Sequence, residues 1–341
     1  MANKVVVDYK SETEQIKVEV VDKTLTKPVI MRLIGLEKEK HAILLGVAQN
    51  FPVLLIGETG IGKTYSLQHV AQEEKKRIIR LSLNGEIGIN ELLGKWLIRN
   101  GSTYWQEGVL VEAMKNGWWI ILDEINAALP EVLFVLNPLM DDSRAIVLAE
   151  KDGEVVNAHP DFRIFATMNP CDEYAGTKEM NKALMSRFPI VLNYRNYNSD
   201  VELDIVKYQS GVEDTIARVM IDVANAIREA KKVKNIYHTV STRDIVNWAK
   251  VFNANGNSIA EAFEFSILNK ASIEDRDMIV KIATNASAVK VQWDWKKENF
   301  RKLTEDIQVE IEKLKAKRKR LVDAVTKVEQ QFTLLRDEVE K

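Results

Sequence analysis

The residues at positions 57–64 are GETGIGKT, and they follow the apolar run FPVLLI at positions 51–56. The octet fits the pattern G-x-x-x-x-G-K-[ST], which binds phosphate when a strand precedes it and a helix follows it. The apolar run predicts that strand, and YSLQHVAQEE at 65–74 predicts that helix. Glycines let backbone N–H groups turn toward an anion, and the helix presents its positive end to the same anion. The stretch therefore predicts a nucleotide-binding loop within an α/β fold.

Two side chains at the end of the octet have distinct predicted tasks. Lys63 can reach the β- and γ-phosphates of the nucleotide, and Thr64 can ligate a magnesium ion. The predicted cofactor site includes the whole loop, which consists of Gly57, Glu58, Thr59, Gly60, Ile61, Gly62, Lys63 and Thr64.

An acidic pair follows a second apolar run, in the segment GWWIILDEIN at 117–126. The run predicts a buried strand, so Asp123 and Glu124 lie at its carboxyl end. Asp123 is the predicted carboxylate ligand of magnesium, and Glu124 is the predicted base that orients and deprotonates the attacking water. Such a pair is ordinary in isolation, but downstream of a phosphate loop it indicates nucleotide hydrolysis.

Three further polar residues are candidates, and the first two have two interpretations each. Asn169 follows a third predicted strand, FRIFATM, and either positions water beside the γ-phosphate or is a plain turn residue. Arg187 ends a predicted helix, where it either interacts with the helix dipole or reaches a neighbouring subunit's nucleotide as an arginine finger. Arg243 begins a later helix, where a cation is electrostatically disfavoured, and this hints at an anion nearby.

The region from about 51 to 195 alternates short apolar runs with helical patterns. This alternation predicts a parallel sheet that is buried on both faces. The five predicted strands span residues 53–56, 77–83, 118–122, 163–168 and 190–192. Two segments interrupt the alternation, at 95–108 and 145–159, and the turn dipeptides Asn100-Gly101 and Asp152-Gly153 predict a β-hairpin in each. The pattern alone leaves open whether these are plain surface hairpins.

Composition excludes several classes of protein. The 341 residues are 46% hydrophobic and 29% charged, as in ordinary globular proteins. The net charge of −2 gives no global basic field for nucleic acid or membranes. No secretory signal or apolar stretch of membrane-spanning length is visible, and the single Cys171 fits a reducing compartment, so we expect a cytoplasmic protein without membrane contact.

The last third of the chain reads as helical. Helical periodicity predicts a small second domain up to about residue 290. Beyond Trp293, apolar residues recur at alternating spacings of four and three, which predicts a long helix or coiled coil. The seam consists of Ile307, Ile311, Leu314, Arg318, Leu321, Val325, Val328, Phe332, Leu335 and Val339.

Three segments together resemble the AAA+ ATPases, and among them the MoxR and dynein/midasin-related branch. They are YWQEGVLVEAMKNGWWIILDEINAALPEVLFVLNPLMDD at 104–142, HPDFRIFATMNP at 159–170 and ALMSRF at 183–188. The resemblance covers about residues 30–255. It implies an AAA+ core with a five-stranded parallel sheet, hairpin inserts and a helical lid. The domains are then an N-terminal extended segment (1–30), the ATPase core (31–198), the lid (199–290) and the C-terminal helix or coiled coil (291–341).

The resemblance also assigns roles to residues. GETGIGKT resembles Walker A, and Asp123 with Glu124 resembles Walker B. Asn169 resembles sensor 1, Arg187 the trans-acting finger and Arg243 sensor 2. In the family a polar residue at the end of the second strand restrains the catalytic glutamate, and Ser82 and Asn84 are both candidates. The implied cofactors are ATP and Mg²⁺, and the implied assembly is a homo-oligomeric, typically six-membered ring whose hairpins face the pore.

Three functions compete on these residues. The first is a MoxR-like ATPase that remodels a separate protein client, which in such families often contains a von Willebrand A domain. The second is a nucleic-acid motor of the restriction or helicase type. Its supporting feature is KLKAKRKR at 313–320 with six positive side chains, although a solvated coiled-coil face is the more usual explanation of such a run. The third is a nucleotide-gated scaffold without activity, which the intact Glu124, Asn169 and Arg187 disfavour.

Overall fold

The computed structural model describes residues 5–10, 15–20, 32–83, 87–170, 180–256 and 258–287, together with Lys315. The described strands are β1 (Val5–Lys10), β2 (Gln15–Val20), β3 (Val53–Ile56), β4 (Ile78–Ser82), β5 (Gly94–Arg99), β6 (Ser102–Glu107), β7 (Trp119–Asp123), β8 (Ala145–Leu148), β9 (Glu154–Asn157), β10 (Arg163–Met168) and β11 (Ile190–Asn193). The described α-helices are α1 (Glu37–Gln49), α2 (Lys63–Glu73), α3 (Ile89–Leu93), α4 (Val109–Asn116), α5 (Pro130–Met140), α6 (Lys182–Met185), α7 (Ser199–Ser210), α8 (Asp214–Lys232), α9 (Thr242–Ala254), α10 (Ile259–Ser266) and α11 (Ile273–Ser287).

The main sheet has the strand order β1-β2-β4-β7-β10-β3-β11. Five neighbouring strands of this sheet, β4, β7, β10, β3 and β11, are parallel to one another. This confirms the predicted five-stranded parallel sheet. The antiparallel strands β1 and β2 extend this parallel sheet beyond β4, because β2 pairs antiparallel with β4. The predicted extended character of the N-terminal segment thus takes the form of two added strands.

Helices cover both faces of the parallel strands, and the alternation of side chains along each strand assigns them to two cores. In β3, Leu54 packs with α4 and α5 on one face, whereas Val53 and Leu55 pack with α1 and α2 on the other. Trp119 and Phe165 belong to the second core, with ring centroids 5.3 Å apart. Burial on both faces explains why these strands read as continuous apolar runs.

Two β-hairpins lie outside the main sheet, as predicted. The first hairpin is β5–β6 and the second hairpin is β8–β9, and each is a separate two-stranded antiparallel sheet. Asn100 and Asp152 have φ values of 52° and 49°, followed by Gly101 and Gly153 at 78° and 73°, which is the left-handed turn conformation that Asn-Gly and Asp-Gly favour.

Helices α7 to α11 form a second unit, the lid, with its own apolar core. Trp248 of α9 and Phe263 of α10 are fully buried there, with ring centroids 4.9 Å apart. A buried ion pair between Arg228 and Glu202 joins α8 to α7, with two N–H···O bonds of 2.8 Å. In the part of the chain that the model describes, no helix has the length and apolarity to cross a membrane. The predicted seam beyond Trp293 lies outside the described residues.

Candidate nucleotide-binding and hydrolysis site

The carboxyl ends of three neighbouring parallel strands meet at the candidate site. Strand β3 leads into the octet, and β10 lies beside it in the register Met168↔Ile56. Strand β7 lies on the other side of β10, in the register Ala166↔Leu122, so Asp123 and Glu124 come next to Thr167 and Asn169. Ligands of open α/β sheets bind at this edge, outside the carboxyl ends of the strands.

Two glycines of the octet have conformations and surroundings that exclude a side chain. Gly60 and Gly62 have φ values of 83° and 101°. A Cβ at Gly60 would lie 2.5 Å from the Ser241 hydroxyl of the lid, and one at Gly62 would lie 2.7 Å from the Tyr197 hydroxyl. The Tyr197 hydroxyl also donates a 2.7 Å hydrogen bond to the carbonyl oxygen of Ile61. The loop therefore lies so close to Ser241 and Tyr197 that only glycine fits at positions 60 and 62.

Lys63 is the first residue of α2, and its side chain turns back under the loop. Its ammonium group donates to the carbonyl oxygens of Gly57 and Glu58, the latter at 2.9 Å, and to Asn169 Oδ1 at 2.9 Å. Burial lowers the pKa of Lys63 to about 8, an effect that the nearby Asp123 carboxylate partly opposes. The protein thus keeps a poorly hydrated cation beside the loop, where bound phosphates would stabilise its charge.

We expect the affinity for ATP to fall as the pH rises above about 8. The Lys63 ammonium begins to lose its proton there, and because phosphates favour the charged form, binding above that pH must take up a proton. The affinity should then weaken by up to about tenfold per pH unit. Calorimetric titration with ATP at about pH 7, 8 and 9 measures this loss of affinity. The Lys63→Met variant should bind ATP weakly, and its affinity should not fall with pH in the same way. A constant wild-type affinity over this range would contradict the expectation.

Asp123 is almost completely buried at the end of β7, and both of its carboxylate oxygens accept hydrogen bonds. Thr167 of β10 donates its hydroxyl to Oδ1. Arg80 of β4 donates to Oδ2, from Nε at 2.8 Å and also from Nη2. Asp123 is a predicted site residue, whereas Arg80 and Thr167 have no predicted role. The signal for Arg80 is a charged residue within the apolar run IIRLS.

Glu124 follows in a left-handed conformation, with φ 58° and ψ 45°, which L-residues adopt at some energetic cost. Its backbone N–H donates to Thr167 Oγ1 at 3.2 Å, and its carboxylate accepts from Asn169 Nδ2 at 3.5 Å. Asn169 therefore contacts both Glu124 and Lys63 through the two ends of one amide. A water molecule between Glu124 and bound phosphates would therefore contact the Glu124 carboxylate and the Asn169 amide, whose relative position is fixed by the hydrogen bond between them.

The lid closes the other side of the site. Ser241 caps α9 in a capping box with Asp244, and this sets the direction of the first turn, which carries Arg243. A cleft of about 490 Å³ lies between lid and core. The predicted site residues that line it are Thr59, Gly60, Ile61, Gly62, Lys63, Thr64, Asp123, Glu124, Asn169 and Arg243. Gly57 and Glu58 contribute the carbonyl oxygens that bind Lys63.

Arg187 lies apart from this cleft. Its guanidinium donates to the Asp141 carboxylate, from Nε at 2.9 Å and Nη2 at 3.4 Å, and to the carbonyl oxygen of Ala183 at 2.7 Å. Ser82 pairs with Asp123 in the strand register and is exposed, and Asn84 lies outside the described residues. The choice between Ser82 and Asn84 therefore stays open.

These features define a class of protein, the P-loop nucleotide-binding proteins with a helical lid. The residues fit a magnesium nucleotide: the loop cannot accept side chains at Gly60 and Gly62, Lys63 is a buried cation beside it, and Thr64 and Asp123 offer oxygen ligands at the same cleft.

Comparisons with known proteins identify the family. A family model described as AAA domain (dynein-related subfamily) matches residues 52–188, and one described as CbbQ/NirQ/NorQ C-terminal matches residues 202–289. The protein CbbQ of Hydrogenophilus thermoluteolus is 33% identical over 199 residues, which are 58% of this chain and 73% of that protein. The aerobic cobaltochelatase subunit CobS of Sinorhizobium sp is 28% identical over 267 residues, 74% of this chain and 80% of that protein.

Midasin of Dictyostelium discoideum is 31% identical over 210 residues, which are 60% of this chain but only 4% of midasin. The chain belongs to the AAA+ ATPases, in their MoxR and dynein-related branch.

Proposed function

We propose that the protein hydrolyses ATP at the interfaces of a six-membered ring and uses the energy to remodel or activate a separate protein. The observation that carries this proposal is the connection of Lys63, Asn169 and Glu124 in one hydrogen-bonded chain along the cleft between core and lid. A protein that only bound nucleotide would have no need for a carboxylate base joined in this way to the phosphate-binding lysine.

The residues divide the chemistry among them. The loop and Lys63 hold the phosphates, and Thr64 and Asp123 would hold magnesium, which offsets the negative charge of the phosphates when bound. Glu124 accepts the proton of the attacking water, and Asn169 fixes the position of that water relative to Glu124. Arg243 adds a cation from the lid side of the cleft, so that lid position and phosphate binding are coupled.

The position of Arg187 supports a shared site. Its guanidinium is bound to Asp141 and is separate from the cleft of its own subunit. A cation at this place can act only on a nucleotide that another subunit presents. Such a head-to-tail contact repeats from subunit to subunit, and it forms a ring when the rotation between subunits closes.

The two hairpins are the proposed output. They are connected to each other, because Trp96 of the first hairpin donates from Nε1 to the carbonyl oxygen of Glu150 in the turn of the second, at 2.8 Å. Lys115 of α4 bonds both Glu107, at the base of the first hairpin, and Glu154, beside the turn of the second. The first hairpin exposes apolar surface, with Ile98 77% accessible to solvent. Exposed apolar side chains on a projecting, braced element suit contact with a protein.

The client is proposed to be a separate polypeptide, with a von Willebrand A-domain protein as one candidate. The relative CobS is by name one subunit of a larger enzyme, which supports action together with another protein.

The test is capture of a partner by Glu124→Gln, which should hold ATP without turnover. We expect Ile98→Ser in that background to lose most of the captured protein, since it removes exposed apolar surface from the hairpin. Tyr237→Ser, at a lid residue that is 84% accessible, is the matched control and should retain it. Equal capture by the Ile98 and Tyr237 variants would contradict the hairpin as the contact.

ATPase assays with and without DNA distinguish the proposed function from the nucleic-acid motor. We expect no stimulation by DNA. The basic residues at 313–320 lie outside the described part of the chain, apart from Lys315. If DNA stimulated the ATPase and neutralisation of these residues abolished the stimulation, a nucleic-acid motor would be favoured instead.

A further inference from the structure

Arg80 is the one described residue that places a cation on the metal-binding carboxylate itself. Its guanidinium bonds Asp123 Oδ2 through both Nε and Nη2. The Arg80 side chain is 34% exposed and lines the cleft, whereas the Asp123 side chain is 8% exposed. The pair thus joins a buried carboxylate to a cation that borders open space.

The orientation of Asp123 does not depend on Arg80 alone. Thr167, which is 1% exposed, donates to Asp123 Oδ1 and also accepts from the backbone N–H of Glu124. This hydroxyl belongs to a buried residue of β10, a central strand of the sheet. It can hold the carboxylate while the longer, less buried Arg80 side chain changes position.

A guanidinium and a divalent cation compete for the same oxygen. Both cations are attracted to Asp123, and they repel each other at short range. This repulsion is strongest where water is partly excluded. We propose that Arg80 is a displaceable counter-ion of Asp123, which lowers the affinity of this carboxylate for a metal ion that arrives without nucleotide. The triphosphate brings compensating negative charge into the cleft, so the displaced guanidinium keeps an anionic partner there. The inference rests on the proposed metal role of Asp123, through which Arg80 acts.

The alternative is that Arg80 permanently orients Asp123 for the metal. The two roles differ in the sign of one effect. Removal of a competing cation strengthens metal binding, whereas removal of an orienting partner weakens it.

The experiment measures binding of Mn²⁺ alone to the full chain by electron paramagnetic resonance, where the signal of free Mn²⁺ reports the bound fraction. We expect Arg80→Met, which keeps the length of the side chain but removes its charge, to bind Mn²⁺ about three- to tenfold more tightly than the wild type. Arg80→Lys should restore weak binding. Arg77→Met is the matched control, because Arg77 lies over the Trp118 ring at 3.8 Å, and it should leave the affinity unchanged.

Asp123→Asn separates failure of this inference from failure of the proposed function. Binding of Mn²⁺ should be lost in Asp123→Asn and in the double variant Arg80→Met/Asp123→Asn. If binding depends on Asp123 but folded Arg80→Met binds Mn²⁺ equally or more weakly, the counter-ion role is wrong and the metal role of Asp123 stands. If Asp123→Asn binds Mn²⁺ as the wild type does, the metal role itself is wrong, and the inference fails with it.

Discussion

Replacement of Glu124 by glutamine is expected to leave ATP binding intact and to slow turnover by about 10²- to 10⁴-fold. The amide has the size of the carboxylate and can still contact Asn169, but it cannot accept a proton from water. Lys63 and Asp123 do not depend on the Glu124 charge for their positions, because Lys63 bonds loop carbonyl oxygens and Asn169, and Asp123 bonds Thr167 and Arg80. Equilibrium binding and steady-state release of phosphate together measure the two effects.

A matched control for this variant is Glu74→Gln, the same chemical change at the exposed end of α2. It should hydrolyse ATP at the wild-type rate. If Glu124→Gln turned over ATP within a factor of about three of the wild-type rate, Glu124 would not be the catalytic base. Loss of binding in the same variant would assign Glu124 to the nucleotide rather than to the water.

Replacement of Arg187 by alanine is the second change with a large expected effect, a loss of about 10³-fold or more in turnover. An arginine finger stabilises charge that develops on the transferred phosphate, in addition to the cations Lys63 and Arg243 of the same subunit's cleft. The loss should not come from unfolding, because the bonds that Arg187 makes to Asp141 form a surface ion pair, worth about 1 kcal/mol or less. The melting temperature should therefore change by only a few degrees.

Lys182→Ala is the matched control for Arg187→Ala, because Lys182 is an exposed cation on the same short helix α6. It should retain wild-type turnover. Equal losses in the two variants would indicate a general effect of positive charge on this surface. A fully active Arg187→Ala protein would leave Arg187 as a partner of Asp141 and nothing more.

The sequence predicted the sheet well because burial on both faces produces a simple pattern. The runs at 53–56 and 119–122 are apolar at every position, and the octet fixes which strand carries the phosphate loop. The predicted strand bounds differ from the observed ones by a residue or so, as at β7, which begins at Trp119 and includes Asp123. The hairpins were predictable because Asn-Gly and Asp-Gly favour one turn geometry strongly.

The contacts that complete the site were less accessible from the sequence because they join residues far apart in the chain. Thr167 reaches Asp123 only because β10 lies next to β7, an adjacency that the linear order of strands does not give. Tyr197 bonds the carbonyl oxygen of Ile61 across 136 positions, and no local pattern marks it. Arg80 reads as an outward-facing strand residue. The pairing of β4 with β7 sets Arg80 opposite Ile121, and its long side chain reaches Asp123 two residues further on.

The central claim, that each site combines Glu124 of one subunit with Arg187 of another, is tested most directly by mixing the two inactive variants. An Arg187→Ala subunit keeps Glu124, and a Glu124→Gln subunit keeps Arg187. In a random equimolar mixture, about a quarter of the interfaces combine both intact residues. The ATPase rate should therefore rise from near zero for each variant alone to about a quarter of the wild-type rate, with a maximum near equal proportions. A rate that stays at the level of the separate variants at every proportion, in mixtures where exchange of subunits is verified, would contradict a site shared between subunits.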